Sequence, residues 1–343
     1  MLLCDTHKRI YRDAIGGSRL AEYCVETRDL RREYLNRNFF GKVKSRTNAL
    51  NGLNISIKYG ELFGIIGPNG AGKTTTIKIL STLLLPTSGS AFVLGMDVTH
   101  DLYRIRKRIG IVFGGERGLY NRVTGLQNLL YFSDLYGVPP SVSRKRVPEL
   151  IEMVGLTGRE NERVEKYSRG MKQRLHIARA LVHDPELMFL DEPTIGLDPA
   201  GARDIRGIIK QLKKDGKSIL LTTHYMFEAD ELCERIAVIS KGNLVALDRP
   251  SGLKKQVRDI TLVELHVYGD SRAVSSSISE LPSVSRVFSE DSGDRTIIRI
   301  QTPDGSEVLE KAKVIASQNN VRIIESSIKE PTLEDAYLRM VEE

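Results

Sequence analysis

Eight residues, Gly67-Pro68-Asn69-Gly70-Ala71-Gly72-Lys73-Thr74, carry the spacing G-x-x-x-x-G-K-[ST]. Glycines let a backbone curl until several N–H groups point at one anion. The apolar run Leu62–Ile66 reads as a buried strand, and Lys73–Leu80 reads as a helix whose positive N-terminal end adds to the attraction. This is chemistry for phosphate. Lys73 is placed to neutralise the β- and γ-phosphates of a nucleoside triphosphate, and the Thr74 hydroxyl to ligate Mg²⁺. The candidate contacts run from Gly67 through Thr75.

A second site lies in Leu187–Pro193 (LMFLDEP), where a short apolar strand ends in two acids. Such a strand in a parallel sheet points both acids at the carboxyl edge, where ligands bind. Asp191 is placed to hold the Mg²⁺ shell, and Glu192 to orient or deprotonate a water. Alone, an Asp-Glu pair is ordinary surface charge; the phosphate loop gives it meaning.

These residues need a scaffold of strands alternating with helices. Tyr23–Arg28, Asn54–Lys58, Leu62–Ile66, Ile109–Phe113, Leu187–Leu190 and Ser218–Thr222 read as strands, and Ala200–Lys213 as a helix. Asn38–Asn48 reads as a basic loop. Thr124–Tyr136, Ser141–Val154 and Ser168–Val182 carry helical periodicity, giving a helical subdomain over about 120–183. Ser168 is a suitable N-cap, and Met171, Leu175, Ala178 and Leu181 or Val182 form one apolar stripe. The expected fold class is α/β, a mostly parallel sheet with helices on both faces.

Composition shifts at Pro250-Ser251-Gly252. Beyond it the order is β-α-β-β-α-β, with strands near 261–267, 284–288, 296–300 and 321–325 and a last helix over 333–341. That order predicts a small α+β ferredoxin-like domain. The expected organisation is an N-terminal extension over 1–22, a core over 23–250 and an accessory domain over 251–343.

The chain has 343 residues, 41% apolar and 28% charged, and a formal net charge of +7. Residues 1–48 hold eleven Lys/Arg against six Asp/Glu, a basic face that could meet nucleic acid or anionic lipid. No run approaches the roughly 20 apolar residues of a membrane span, and the start is not a secretory signal. Cys4, Cys24 and Cys233 are scattered without metal spacing and read as free thiols in a cytoplasmic protein.

Four further elements make the chain resemble the nucleotide-binding subunits of ABC transporters across about 23–250. Tyr167–Leu175 (YSRGMKQRL) looks like the family's signature sequence, Gly196–Gly201 (GLDPAG) matches its D-loop at Asp198, and Thr222–Asp230 (TTHYMFEAD) its switch histidine at His224. Tyr34 lies before the phosphate loop like the family's adenine-stacking aromatic, with Phe39 and Phe40 as competitors. The resemblance implies a P-loop NTPase core that binds ATP with Mg²⁺ and hydrolyses it. It also implies a head-to-tail dimer, with itself or a paralogous ATPase subunit, in which Ser168 and Gly170 meet the partner's ATP. The expected second partner is an integral membrane permease subunit on the inner face of the membrane. The signature variant YSRGMKQ and the C-terminal domain are similar to the exporter branch that moves drugs, lipids or polysaccharides. The rival expectation, a soluble ATPase of the same family acting on ribosomes or DNA, lacks a second core, a heptad run or paired CxxC motifs.

Two departures stand out. Arg169 replaces a signature glycine. Gly114, after the strand Ile109–Phe113, occupies the position where the family normally has a glutamine. Either Glu116 substitutes for it or the contact is lost; Gln127 lies too far along, in the next helix.

Overall fold

The computed structural model describes residues 22–37, 43–114, 118–255, 261–268, 271–292, 295–329 and 331–342. The chain divides into two compact units, Met1–Arg249 and Pro250–Glu343. The expected extension, apart from Glu22, lies outside the described residues, as do Cys4, Phe39, Phe40 and Glu116.

The first unit opens with β1 (Tyr23–Arg37), β2 (Val43–Leu53), β3 (Ser56–Lys58) and β4 (Leu62–Ile66), then α1 (Lys73–Leu80). There follow β5 (Ser88–Val93), β6 (Met96–Asp97), α2 (Leu102–Arg106) and β7 (Ile109–Phe113). Three helices come next: α3 (Gly125–Leu135), α4 (Pro140–Met153) and α5 (Arg169–Leu181). The unit ends with β8 (Leu187–Asp191), α6 (Pro199–Lys214), β9 (Ser218–Thr223), α7 (Met226–Leu232), β10 (Arg235–Ser240) and β11 (Asn243–Asp248).

One sheet has the order β11-β10-β4-β9-β8-β7 and is parallel except for the edge strand β11. Every residue of β4, β8 and β9 is buried, as continuous apolar strands in a covered parallel sheet require. Gly64 in β4 has a packing reason: a Cβ there would lie 2.7 Å from Cys233 Sγ. Cys24 and Cys233 are free and buried, which raises both thiol pKa values, that of Cys24 to about 12.

A second, antiparallel sheet has the order β2-β1-β5-β6, with β3 also on β1. One apolar cluster joins Val25, Leu50 and Ile57 of this sheet to Ile77 and Leu80 of α1 and to Phe63, Phe189 and Leu220 of the parallel sheet. The expected loop over Asn38–Asn48 is therefore corrected. From Val43 onward it is strand, paired with β1 from Val43↔Arg37 to Leu53↔Leu30. Residues 43–48 are all exposed, so no apolar alternation announces them.

The helical segment forms as expected. Ser168 caps α5 by accepting a bond from the Met171 N–H at 3.2 Å, and Met171, Leu175, Ala178 and Leu181 are buried. Thr124 and Gln127 form a reciprocal capping box at the start of α3. Gln127 is thus committed to its own helix end.

The second unit contains α8 (Pro250–Lys255), β12 (Thr261–Tyr268), α9 (Arg272–Ser279), β13 (Arg286–Ser292), β14 (Arg295–Thr302), α10 (Gly305–Gln318), β15 (Arg322–Lys329) and α11 (Leu333–Glu342). Its sheet is antiparallel with the order β13-β14-β12-β15, the split βαβ arrangement. Val263, Leu265, Ile298 and Ile300 of the sheet pack with Val274 and Ile278 of α9 and Val308 and Ala312 of α10.

Candidate functional site at the carboxyl edge of the parallel sheet

Strand register brings the candidate residues together. Ile66 pairs with Thr223, Asp191 with Thr222, and Phe113 with Asp191. The four segments leaving β4, β9, β8 and β7 at this edge start with Gly67, His224, Glu192 and Gly114. They are far apart in sequence and adjacent here, the place where open α/β sheets bind ligands.

The phosphate loop curls over the start of α1. Gly72 caps that helix with φ 109°, and a Cβ there would meet Ala49 O at 2.5 Å. At Gly67 a Cβ would meet Ile239 O at 2.2 Å. Close backbone approach therefore requires glycine at both positions. Lys73 is buried, and its Nζ donates to Gly67 O at 2.7 Å and Pro68 O at 3.2 Å. A cleft of about 100 Å³ is lined by Pro68, Asn69, Gly70, Gly72, Lys73, Thr74, Thr75 and Glu192. Ala71 is buried beneath it in the apolar cluster, so its side chain packs rather than lines.

The two acids have different surroundings. Asp191 is buried, accepting from Thr74 Oγ1 at 2.8 Å and from Thr222 Oγ1 at 2.5 Å. Thr222 was legible only as the strand end before His224; nothing in its type marked it as a holder of Asp191. Glu192 has φ 49°, and its N–H donates to Thr222 O at 3.0 Å. Its carboxylate lies 3.5 Å from Lys73 Nζ and 3.2 Å from His224 Nδ1. The histidine contact is close but not an aligned hydrogen bond. Glu192 therefore stands between the phosphate-loop cation and an imidazole, at the lining of the cleft.

Tyr34 stands on β1 with its hydroxyl 3.4 Å from Thr75 Oγ1. Ser168, Gly170 and Asp198 do not line this cleft. Asp198 caps α6, accepting from the Gly201 N–H at 3.3 Å, and a Cβ on Gly170 would come within 3.9 Å of Gly201 Cα. The signature segment and the D-loop segment are neighbours of each other. At Gly114 a Cβ would meet Glu192 O and Ile195 Cγ2, each at 2.9 Å, while its N–H donates to Asp191 O at 2.7 Å. Packing against the acid-bearing strand excludes a glutamine from that position without a backbone shift.

Sequence reading also missed Glu228, on α7 behind the histidine. It is buried, and both carboxylate oxygens lack an aligned partner among the described residues. Burial pushes this carboxyl above its ordinary range, and the nearby Thr223 and Thr194 hydroxyls only partly oppose that. An acid with a raised folded pKa contributes its full stability below the unfolded value and loses it as pH rises through the folded one. Glu228→Gln should therefore melt higher than the parent at pH 8, the gap closing as pH falls toward 4.5. Thermal unfolding by circular dichroism at several pH values checks this; a gap independent of pH would refute it.

The family model for the ABC transporter matches residues 50–195. The linearmycin resistance ATP-binding protein LnrL of Bacillus subtilis is 34% identical over 299 residues, covering 87% of this chain and 95% of its own length. This chain belongs to the ATP-binding proteins of ABC transporters. It is an ATPase, the motor subunit of such a transporter. The doxorubicin resistance ATP-binding protein DrrA of Mycobacterium tuberculosis is 36% identical over 300 residues, covering 87% of this chain and 89% of its own. Among solved structures, the ATP-binding cassette MJ0796 in a dimeric post-hydrolysis state with ADP and Pi superimposes with a TM-score of 0.59 at 28% identity, covering 66% of this chain and 98% of that one. Among the described residues, no helix of this ATPase is long and apolar enough to cross a membrane.

Proposed function

We propose that the chain drives an exporter-type ABC transporter for drug-like or lipid-like molecules, as a dimer on the inner face of a membrane. The observation that carries the site assignment is the pairing of the two acids. Asp191 is bonded to the phosphate-loop Thr74, and Glu192 lies between Lys73 and His224. In this reading Gly67–Thr75 cradle the phosphates and Tyr34 stacks on adenine. Lys73 neutralises the β- and γ-phosphates, and His224 contacts the γ-phosphate. Glu192 holds and deprotonates the attacking water.

Thr74 and Asp191 fit Mg²⁺. Their oxygens lie 2.8 Å apart at the cleft, a hydroxyl and a carboxylate of the kind that hard cation takes. When bound there, Mg²⁺ would supply neutralisation of phosphate charge.

The cleft is open, and no signature residue lines it. Head-to-tail pairing of two cassettes would add Ser168 and Gly170 of one copy to the ATP of the other, with Asp198 at the seam. The exporter assignment draws on the resistance proteins LnrL and DrrA, whose alignments with this chain run over 299 and 300 residues, longer than the first unit, Met1–Arg249. A separate membrane permease is the partner that such a motor moves, and nucleic acid is not proposed as one.

The pairing is tested with Ser168→Arg. Placed in a Glu192→Gln chain, it should leave ATP bound at one per chain while abolishing the ATP-dependent dimer seen by light scattering. An undiminished dimer would remove Ser168 from the interface.

A further inference from the structure

Tyr34 is held from two directions. Its hydroxyl lies against Thr75 of α1. Its ring lies against the guanidinium of Arg32, with Cζ 4.9 Å from the ring centroid. Arg32 and Tyr34 are two apart on β1 and so share a face of the ribbon. Arg32 is itself anchored, since Nη1 donates to Leu85 O at 2.9 Å, in the segment that leaves α1. Two backbone ties flank it: Thr87 N–H donates to Arg31 O at 2.8 Å, and Glu33 N–H donates to Thr87 Oγ1 at 3.0 Å.

The ribbon root is thus tied to the helix behind the phosphate loop through Thr75 and to the segment after that helix through Leu85 and Thr87, and one tie passes along the face of the tyrosine. We propose that Arg32 is the positioning residue of the base site. It fixes the Tyr34 ring relative to Thr75 and leaves the opposite ring face for the purine. A cation on one face draws π-density toward itself, so the other face becomes a better partner for an electron-rich base. The guanidinium suits this role because its planar fork can lie on a ring while still donating sideways to a carbonyl.

This inference rests on the reading of Tyr34 as the base-stacking residue, and its test separates the two. ATPase kinetics are measured for Arg32→Met, Arg32→Lys, Tyr34→Ala and the double variant Arg32→Met/Tyr34→Ala, with inorganic tripolyphosphate as a competitor that has phosphates but no base. Arg32→Met should raise KM for ATP about two- to fivefold with kcat unchanged, and Arg32→Lys should fall between it and the parent. Tripolyphosphate should compete as well as before, and the double variant should be no worse than Tyr34→Ala alone.

Three results would overturn the inference. If Tyr34→Ala raises KM and Arg32→Met does not, Arg32 has no part in base binding and the reading of Tyr34 survives. If Arg32→Met weakens tripolyphosphate or lowers kcat to the same degree, Arg32 is only a structural tie. If Tyr34→Ala leaves KM unchanged, the base-stacking reading falls and the inference falls with it.

Discussion

Glu192→Gln should bind ATP as the parent does, hydrolyse it at least about a hundredfold more slowly and accumulate as a dimer. The substitution preserves size and removes only the basic oxygen. Asp191 remains between Thr74 and Thr222, and Lys73 keeps its bonds to Gly67 O and Pro68 O, so the phosphate cradle is untouched. What is lost is the carboxylate that stands 3.5 Å from Lys73 and 3.2 Å from His224. Phosphate release measures the first effect and size-exclusion chromatography with ATP the second. A variant that turned over normally would transfer the role of base to another group.

Gly72→Ala should be far more destructive than the same methyl group at Gly70 of the phosphate loop. Two penalties coincide there. The backbone stands at φ 109°, outside what L side chains adopt. The added Cβ would also lie 2.5 Å from Ala49 O and 2.8 Å from Leu50 Cδ2, so strand β2 would have to move away from α1. A loss of about 3 kcal/mol or more is expected, together with loss of nucleotide binding. Gly70→Ala is the matched control: its φ is 82° but nothing lies within 4 Å of the added Cβ. Only the conformational part applies there, about 1 kcal/mol. Urea denaturation of both variants decides the matter, and equal losses would show that the clash is absorbed.

The features that were legible in sequence are those whose cause is local. The phosphate loop declares itself because one short stretch holds the glycines, the lysine and the hydroxyl. Strands β4, β8 and β9 declare themselves because burial on both faces demands unbroken apolar runs. Helix α5 carries its cap at Ser168 and its stripe from Met171 to Leu181 within one short stretch.

The remainder is set by partners distant in sequence. The first half of β2 is exposed and polar, and only its pairing with β1 makes it a strand. Strands β5, β6 and β11 were likewise missed, because edge and half-covered strands lack a clean pattern; β10 was missed although Ile236–Ile239 is a buried apolar run of the kind that marks β4 and β8. Thr222 is one hydroxyl among many until register sets it beside Asp191. Glu228 sits in an ordinary run of acids, and only the fold shows it buried. The D-loop residue Asp198 was legible as a family feature, while its capping of α6 was visible only in the structure.

The left-handed backbone at Glu192 carries a consequence for laboratory evolution. An L residue with φ 49° sits in a sparsely used conformation that glycine or asparagine would occupy more easily. The carboxylate is therefore kept where the chain's own folding preference would choose another residue. A library of this cassette sorted for thermal resistance or soluble yield, without a demand for turnover, would drift toward glycine or asparagine at position 192. It would return sturdier proteins that still hold nucleotide and no longer run.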